Sequence, residues 1–326
     1  MSNPLVSICI TTYNVEKYIE KTIESVISQK TDFTFEILIG DDFSTDNTRN
    51  ILLKYKEIYP NIIRLIFHDK NIGVLKNDLS LVQAARGFYI AWCDGDDWWI
   101  DNHKISKQVN ILSNNNIALV HTNWDNYYES IDKFERISIQ QSALEESKDG
   151  VDIIELLMLN NYSGIRFSSC MFRRYQILEF FHQHPRMYEE HLSNDLAIFI
   201  GLCQYGKFFH LKDTTTAYRI RPESLSITSN HEKRVAYLYG LFNLLLSTSQ
   251  EYGVSAFVKY RSLKTVLDNI LYIKFKHQIF FDIDEVLSSF TNLGYKLTLG
   301  QKFLYLGSKN KYFRFFAMPF YSAQKE

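Results

Sequence analysis

Two acidic clusters contain the residues of this chain that are best suited to chemistry. Asp41 and Asp42 follow one apolar run, and Asp94, Asp96 and Asp97 follow another. Carboxylates packed this closely repel one another unless a cation lies between them, and such hard oxygen ligands favour Mg²⁺ or Mn²⁺, which bind phosphate oxygens in turn. The alternative is a solvated acidic turn that caps the next helix. Two clusters at predicted strand ends favour the metal and phosphate site.

Other phosphate-binding and hydrolytic motifs are absent from the sequence. No two of the 13 glycines are spaced as GxG, so a dinucleotide-binding fingerprint is excluded in its usual form. The patterns GxxxxGKS, GxxxxGKT, GxSxG and HExxH are also missing. An EF-hand loop is excluded because Gly95 holds the second position of its acidic run rather than the sixth. A nucleotide would therefore be held by metal and side chains.

The elements that must position the acidic clusters alternate regularly over the first 125 residues. Apolar runs predict strands at Leu5–Thr11, Phe35–Gly40, Ile62–Phe67, Phe88–Cys93 and Ile117–His121. Helical spacing predicts helices at Val15–Gln29, at Val74–Ala85 and at Asp101–Ser113, and a further helix that Thr45 or Asp46 caps and that runs to about Tyr59. This alternation predicts a parallel sheet with helices on both faces, in which ligands bind at the carboxyl ends of the strands. The turns after Thr11, Gly40 and Cys93 are therefore the expected site.

The pattern is looser beyond about Tyr127. A short helix is predicted at Ile153–Leu159 and a strand at Phe167–Phe172. Helical periodicity returns at Val235–Leu246 and Phe257–Tyr272, followed by an aromatic and basic tail. The region between the two patterned parts has no periodicity that fixes its structure.

Charge is balanced over the whole chain but unevenly distributed. The 326 residues include 36 basic and 37 acidic side chains, for a net charge of −1, which argues against nucleic acid as the defining partner. Residues 36–101 hold 11 acidic and 7 basic side chains, whereas residues 296–326 hold 6 basic and 1 acidic. The first excess suits a cation and a nucleotide in a cleft, and the second suits an anionic surface.

The cysteines and the N-terminus bear on the cellular compartment. The four cysteines are far apart and form no CxxC pair, so neither a disulfide framework nor a zinc knuckle is predicted. The chain opens without a basic region or a signal-peptide cleavage site. No window reaches the roughly 18 apolar residues that a spanning helix requires. We expect a cytoplasmic protein that can lie on the inner face of the cell membrane.

Three motifs in order, VSICITTYN, EILIGDDFSTDNT and GFYIAWCDGDDWW, strongly resemble the family 2 glycosyltransferases of bacterial polysaccharide type. That family consists of inverting enzymes with a GT-A fold. The resemblance continues through Asp101, Lys104 and Gln108, is close over residues 4–125 and looser over residues 160–226. It implies an α/β fold with a Rossmann-like, mostly parallel central sheet flanked by helices, and a helical C-terminal extension.

The resemblance also implies a division into domains. Residues 1–226 would form the GT-A domain, with a nucleotide-binding half at about 1–125 and an acceptor half at about 126–226. Residues 227–326 would form a helical C-terminal region that ends in the basic aromatic tail. That tail is either a membrane contact or a domain-closing helix with solvated lysines.

The family match places the donor nucleotide against the first two strand ends. Thr11 and Tyr13 match positions that lie against the base, although proline is common at the first position. An ordinary core aromatic is the alternative for Tyr13. Asp42, with the adjacent Asp41 as the alternative, matches the carboxylate that accepts the uracil N–H.

The match extends to the sugar and diphosphate of the donor. Asp94 matches a residue near the ribose or donor sugar. Asp96, with Asp97 as a second candidate, matches the ligand of Mn²⁺ or Mg²⁺ that bridges the diphosphate. Lys76 and Asn77 match a basic residue and an asparagine that are often near the nucleotide.

A later segment resembles the family's YRxH stretch, which folds over the donor diphosphate. Here it reads YRIRPESLS, which brings Arg219 and Arg221 toward the phosphates. Arg221 stands where histidine is usual. Histidine can bind a metal, whereas arginine can only donate to phosphate, so the departure favours a guanidinium clamp in place of metal help at this position. An ordinary surface loop is the alternative.

An inverting transfer needs a general base for the acceptor hydroxyl. The family places an aspartate before a late helix, and Asp195 matches it, with Glu190 and Glu189 as alternatives. Helix capping is the structural alternative for Asp195. The acceptor side is less patterned, and its candidates are Trp98, Trp99, Arg166 and Glu190; Trp99 can equally be a core residue.

The sequence therefore predicts an inverting glycosyltransferase that moves a sugar from a UDP-sugar donor to a glycan or lipid-linked glycan acceptor. A sugar-nucleotidyltransferase is the first alternative, but its Gly-rich loop after the first strand is missing. A catalytically silent nucleotide-sugar or glycan-binding module is the second alternative, and the intact acidic clusters disfavour it.

Overall fold

The strand and helix alternation predicted for the first 125 residues is present in the computed structural model of the chain. The structure describes residues 3–136, 150–160, 164–185, 194–221, 230–279 and 281–309. The first part contains β1 (Val6–Thr12), α1 (Ile19–Ile27), β2 (Phe35–Asp41), α2 (Thr48–Ile58), β3 (Ile63–Phe67), α3 (Val74–Ala84), β4 (Tyr89–Asp94), β5 (Trp98–Trp99) and α4 (Lys104–Leu112). The second part contains β6 (Ile117–Tyr128), β7 (Lys133–Arg136), α5 (Gly150–Asn160), β8 (Met171–Arg173), α6 (Arg174–Gln183), α7 (Asn194–Leu202) and β9 (Lys207–Ile220).

The strands of the described residues form one sheet in the order β3-β2-β1-β4-β8-β6-β9-β5, and β7 pairs with β6. β1 is parallel to β2 and β4, β2 is parallel to β3, and β6 is parallel to β9. The predicted α/β fold class is confirmed, but the sheet is not parallel throughout. β8 runs antiparallel between β4 and β6, because the chain abandons the strand–helix alternation before it enters β8.

The core of the sheet explains why its central strands are continuously apolar. Ile8 and Ile10 of β1 point to one face and Cys9 to the other, and all three are fully buried. A parallel strand covered by helices on both faces has no solvent side, so its sequence does not alternate. Ile19 and Ile23 of α1 share one helical face and pack into the same core.

The register of the parallel strands aligns the predicted site residues along one edge. Thr11 is paired with Gly40 on β2 and with Asp94 on β4. Thr12 is paired with Asp41. The carboxyl ends of β2, β1 and β4 therefore lie side by side, as the sequence predicts.

Some element boundaries differ from the predictions. α2 begins at Thr48 rather than at residue 45 or 46, because Asp46 accepts a hydrogen bond from the Thr48 N–H at 3.0 Å just before the helix. β6 continues past His121 to Tyr128, where β7 and β9 pair with it. The predicted strand at Phe167–Phe172 is a 3₁₀ turn followed by the short β8.

The described residues divide into two compact units, one ending at Arg221 and the other beginning at Asn230. The predicted domain boundary at residue 226 lies outside the described residues. The second unit contains α8 (His231–Glu251), α9 (Ala256–His277), α10 (Asp284–Asn292) and α11 (Leu299–Lys309). In it, α9 packs against α8 and α11. Among the described residues, no helix combines the length and the hydropathy needed to cross a bilayer.

Candidate active site

Asp41, at the end of β2, is held entirely by protein donors. One carboxylate oxygen accepts from the Ser44 N–H at 3.0 Å and from Arg49 Nε at 2.5 Å. The other accepts from the hydroxyls of Thr12 and Ser44 at 3.1 and 2.5 Å. A carboxylate offers about four acceptor positions, and all are filled here. Asp41 therefore fixes the turn, and of the two acidic neighbours Asp42 is the better placed to accept from a ligand.

Asp42 connects this turn to the start of α3. Its two oxygens accept from the backbone N–H groups of Ile72 and Gly73 at 2.6 and 3.0 Å. Each oxygen keeps a further acceptor position. Tyr13, on the neighbouring turn, is 51% exposed. An exposed aromatic face and a fixed carboxylate are suitable for a planar base.

The two candidates on α3 differ in accessibility. Asn77 is buried, donates to the Gly40 carbonyl at 2.9 Å and lies 3.1 Å from His68 Nε2. Its amide therefore joins α3 to β2. Lys76 is exposed and retains the freedom to reach a phosphate.

The second acidic cluster is organised by a serine. Ser168 Oγ lies 2.9 Å from an Asp94 oxygen and 2.6 Å from an Asp97 oxygen, and it accepts from the Asp94 N–H at 3.0 Å. A hydroxyl has one proton, so it can donate to only one of the two carboxyls. Burial, with the charges of Asp96 and Asp195, raises the pKa of Asp94 to about 7. Burial also raises the pKa of Asp97, so protonation of one carboxyl accommodates the second short contact.

Asp96 and Asp97 are neighbours with different surroundings. Asp97 is 1% exposed, and its second oxygen accepts from the Arg219 N–H at 2.9 Å. Both of its oxygens thus hold the turn after β4 against β9 and against the 3₁₀ turn that carries Ser168. The Asp96 side chain is 19% exposed. Asp96 is therefore the more accessible of the two predicted metal ligands.

Gly95 lies between the predicted ligands because the turn passes very close to β1. Its N–H donates to the Thr11 carbonyl at 3.0 Å. A Cβ at this position would lie 2.7 Å from the same oxygen. Only glycine lets the acidic turn rest on the end of β1 without displacing it.

Two arginines of β9 and its C-terminal end flank Asp96. Arg221 Nη2 lies 2.5 Å from an Asp96 oxygen, and Arg219 Nε donates to the Asp96 carbonyl at 2.9 Å. The Arg219 guanidinium lies 4.5 Å from the ring centre of Tyr18 and 4.8 Å from that of Trp98. These contacts fix Arg219 firmly in place.

Asp195 approaches the same cluster from α7. Removal from water raises the pKa of Asp195 to about 6, whereas the positive charge of Arg166 lowers it. The charge of Asp195 in turn raises the pKa of Asp94. The Arg166 guanidinium lies 4.3 Å from the ring centre of Tyr218 and 5.2 Å from that of Trp124.

The two tryptophans after the acidic turn are both buried. Trp98 has the Lys21 amine 3.6 Å from its ring centre, and Trp99 donates to the Ser168 carbonyl at 3.0 Å. Neither presents an open face for stacking on a sugar. Glu190 and its alternative Glu189 lie outside the described residues, as does the part of the YRIRPESLS segment beyond Arg221.

The carboxylates after β4 can hold a divalent cation if substrate phosphates and water supply its other ligands. Within the described ranges, no three Asp, Glu, His or Cys side chains converge on a metal position. Mg²⁺ is commonly held by one or two carboxylates and completed by substrate phosphates and water, rather than by an all-protein cage. Asp96 fits such a site because its side chain is 19% exposed, whereas the neighbouring Asp97 is buried.

Several residues of the site carry no recognisable signal in the sequence. The bridging position of Ser168 depends on the packing of its 3₁₀ turn against β4. Trp92 donates to an Asp94 oxygen at 3.1 Å, and Glu129 lies 3.6 Å from Arg219 Nη1. Trp92 and Asp94 lie two residues apart on β4, whereas only the pairing of β6 with β9 brings Glu129 to Arg219.

A separate cavity of about 760 Å³ contains none of the predicted site residues. It is lined by Lys30, Ile100, Asp101, Asn102, His103, Lys107, Asn123, Arg136, Lys212, Asp213 and Thr214. In this lining, Lys107 is paired with both Asp101 and Asp213.

The fold and the carboxylates at the ends of its parallel strands define an α/β enzyme of the GT-A glycosyltransferase type. A family model described as "Glycosyl transferase family 2" matches residues 7–196. The chain belongs to this family, and the resemblance seen in the sequence is confirmed.

The relatives include an uncharacterised protein and two named glycosyltransferases. An uncharacterised protein of Mycobacterium tuberculosis is 44% identical over 106 residues, which cover 32% of this chain and 31% of that protein. The putative teichuronic acid biosynthesis glycosyltransferase TuaG of Bacillus subtilis is 35% identical over 37% of this chain and 47% of its own. WfgD of Escherichia coli, named as a UDP-Glc:alpha-D-GlcNAc-diphosphoundecaprenol beta-1,3-glucosyltransferase, is 34% identical over 38% and 47%. The matched stretches thus span less than half the length of these relatives.

Solved structures agree with the fold. The crystal structure of Staphylococcus aureus TarS residues 1–349 with UDP has a TM-score of 0.54 at 17% identity, covering 93% of this chain and 78% of that one. The mannosyltransferase PcManGT of Pyrobaculum calidifontis, solved with GDP-Man and Mn²⁺, has a TM-score of 0.53 at 14% identity, covering 100% and 89%. At these identities the likeness establishes the fold.

Proposed function

We propose that this chain is an inverting hexosyltransferase that moves a sugar from a UDP-sugar to a saccharide or lipid-linked saccharide. The observation that carries the proposal is the alignment of Asp94 beside Thr11 at the ends of β4 and β1, where a donor would bind; the charge of Asp195, the candidate base, raises the pKa of this Asp94. The UDP and UDP-GlcNAc complexes of TarS and the UDP-Glc donor named for WfgD support the donor class.

The proposed reaction is a single displacement at the anomeric carbon. The acceptor oxygen forms a bond to that carbon while the bond from the carbon to the diphosphate oxygen breaks. The hydroxyl proton passes to Asp195, and the electron pair of the broken bond leaves with UDP. A base with a pKa of about 6 is ionised at neutral pH and is still basic enough to assist the attack.

The nucleotide would lie along the ends of β1 and β2. Tyr13 and Thr11 would contact the base, and Asp42 would accept its N–H through the acceptor positions that remain on its carboxylate. Lys76 is exposed close by and would reach a phosphate. Asp94, beside Thr11 in the register, would face the ribose or the sugar.

The diphosphate would lie beside Asp96, Arg219 and Arg221. Mn²⁺ or Mg²⁺, held by Asp96, would neutralise charge that develops on the departing diphosphate. The Mn²⁺ complex of PcManGT supports this cofactor class. Arg221 adds a planar donor that suits phosphate oxygens.

The acceptor would enter on the side of Asp195. Arg166, with Tyr218 and Trp124 against its guanidinium, forms a fixed polar and aromatic wall there. The lipid-linked acceptor named for WfgD supports an acceptor of that kind. Arg166 would then contact the acceptor sugar next to the reacting hydroxyl.

A lipid-linked acceptor requires access to a membrane surface, and we propose that the basic aromatic tail supplies it. In α11, Leu299 is 86% exposed and Leu306 is also exposed, with Lys302 and Lys309 on the same helix. Exposed apolar side chains beside cations suit an anionic interface. Residues 310–326 of the tail lie outside the described part of the chain.

A panel of nucleotide sugars tests the enzyme proposal. The purified chain should release UDP from at least one UDP-sugar, faster with acceptor present and more slowly with EDTA. Asp96→Asn should lose metal-supported UDP binding, and Asp195→Asn should keep it while losing turnover. Donor binding without any turnover, in the presence of lipid-linked and free saccharides, would instead identify a silent binding module.

A further inference from the structure

Asp96, the proposed metal ligand, already has a cationic partner from its own chain. Arg221 Nη2 lies 2.5 Å from an Asp96 oxygen, and both side chains are only 19% exposed. Partial burial strengthens such a pair relative to a surface salt bridge, because water screens it less. A metal ion that approaches Asp96 must therefore compete with this guanidinium.

Arg221 also has bonding capacity that Asp96 does not use. Its Nε is buried and has no hydrogen-bond acceptor among the described residues. The guanidinium lies 5.1 Å from the ring centre of Tyr18, which limits where it can turn. A buried donor without an acceptor is costly, so an anion of suitable geometry placed here would be bound favourably.

The surrounding charges indicate what that anion must be. The cluster already holds the carboxyls of Asp94, Asp96 and Asp97, and Arg219 donates to the backbone of Asp96 rather than to its carboxylate. Removing Arg221 from Asp96 is therefore favourable only if a cation takes its place and an anion receives the guanidinium. A diphosphate that arrives with a divalent metal supplies both at once.

We propose that Arg221 is a built-in counter-cation of Asp96 that makes the metal and the nucleotide diphosphate bind together rather than one at a time. The inference rests on the proposed function and adds an order of events to it. The diphosphate takes Arg221 away from Asp96, and the freed carboxylate binds the metal. A neutral histidine at this position would bind the metal itself rather than compete with it.

The test is a linkage experiment that needs no turnover. Mn²⁺ binding to the intact chain is measured by electron paramagnetic resonance, without UDP and with saturating UDP. In the unaltered chain, UDP should tighten Mn²⁺ binding by a factor of about ten to a hundred beyond its binding to UDP in solution, within the usual range of coupling between sites. In Arg221→Ala, Mn²⁺ alone should bind at least about fivefold more tightly, and the coupling should shrink toward one.

Three further variants make the result specific. Arg221→Lys keeps the charge and should retain most of the competition, and Arg221→His should bind Mn²⁺ alone at least as tightly as the alanine variant. Arg64→Ala is the matched control. It removes the ion pair between Arg64 and Glu36, whose atoms are 2.8 Å apart, and Glu36 lies at the start of β2 rather than at the end that carries the first acidic turn. It should leave Mn²⁺ binding and coupling unchanged.

The outcomes separate this inference from the proposed function. Equal Mn²⁺ affinity in the unaltered chain and in Arg221→Ala, with UDP coupling preserved in both, would overturn the counter-cation role and leave the enzyme proposal intact. If UDP does not bind the unaltered chain with any divalent metal, both proposals fail together. Tighter Mn²⁺ binding in Arg64→Ala as well would show a general loosening of the fold and would also refute the inference.

Discussion

The raised pKa of Asp195 makes the proposed transfer depend on pH in a way that can be calculated. A general base works only when deprotonated, so turnover should fall as pH drops through about 6. At pH 7 about ten-elevenths of a group with this pKa is ionised, and at pH 5 about one-eleventh, so turnover should fall by roughly tenfold across that interval. An aspartate with its ordinary pKa would show almost no change there.

The assay is UDP release at saturating donor and acceptor between pH 5 and 8. Asp195→Asn should lower turnover by about a hundredfold or more, with UDP affinity nearly unchanged. The remaining turnover should no longer show the acid limb, which is the fall in turnover between pH 7 and pH 5. Retention of the acid limb in Asp195→Asn would assign the titration to another group. Full activity of this variant would refute the assignment of the base.

Arg166 provides a directional check on the same reasoning. Its charge lowers the pKa of Asp195, so Arg166→Met, which keeps a long side chain against Tyr218, should move the acid limb to higher pH. The acceptor KM should rise as well if the arginine contacts the sugar. A limb that stays in place or moves to lower pH would contradict the electrostatic argument.

Three further predictions concern stability and the shape of the site. Ser168→Ala removes the hydroxyl between two buried carboxyls and should lower the free energy of unfolding by about 1–3 kcal/mol in urea titrations. Burial lowers the pKa of His121 to about 3 from its ordinary value of 6.5. Between these two pH values, His121 is protonated in the unfolded chain but not in the folded chain. The free energy of unfolding should therefore decline by up to about 1.4 kcal/mol per pH unit as pH falls from 6.5 toward 3. His121→Leu should reduce this decline, whereas the exposed His103→Leu should not. Gly95→Ala places a Cβ 2.7 Å from the Thr11 carbonyl, so the acidic turn must shift. We expect weaker UDP binding in titration calorimetry, with little change in the unfolding midpoint measured by thermal melts.

The nucleotide side of the fold could be predicted because its signals are local. Continuous apolar runs at Ile8 and Ile37 identify buried parallel strands, and parallel strands bring their carboxyl ends to one edge. That rule alone placed Thr11, Gly40 and Asp94 together, and the register agrees. Nothing in this argument required knowledge of distant parts of the chain.

The long strand β9 has no comparable local signal. It contains charged and polar residues such as Lys212 and Asp213, and its pairing with β6 is interrupted by register shifts next to Asn123. A strand with an irregular register does not keep the period of two that identifies strands in a sequence. The role of Arg219, which depends on this strand, therefore rested on family resemblance alone.

The division of labour between Asp96 and Asp97 shows what local sequence lacks. Asp96 lies in the turn that the Asp97 N–H closes by donating to the Asp94 carbonyl at 3.0 Å, so the sequence alone does not say which of the two carboxylates faces inward. The inward one is Asp97, because its partners Ser168 and Arg219 arrive from 71 and 122 residues away and approach from that side. The sequence contains both aspartates and both partners, but only the packing of β9 against β5 determines which carboxylate fixes the turn and which remains accessible to a ligand.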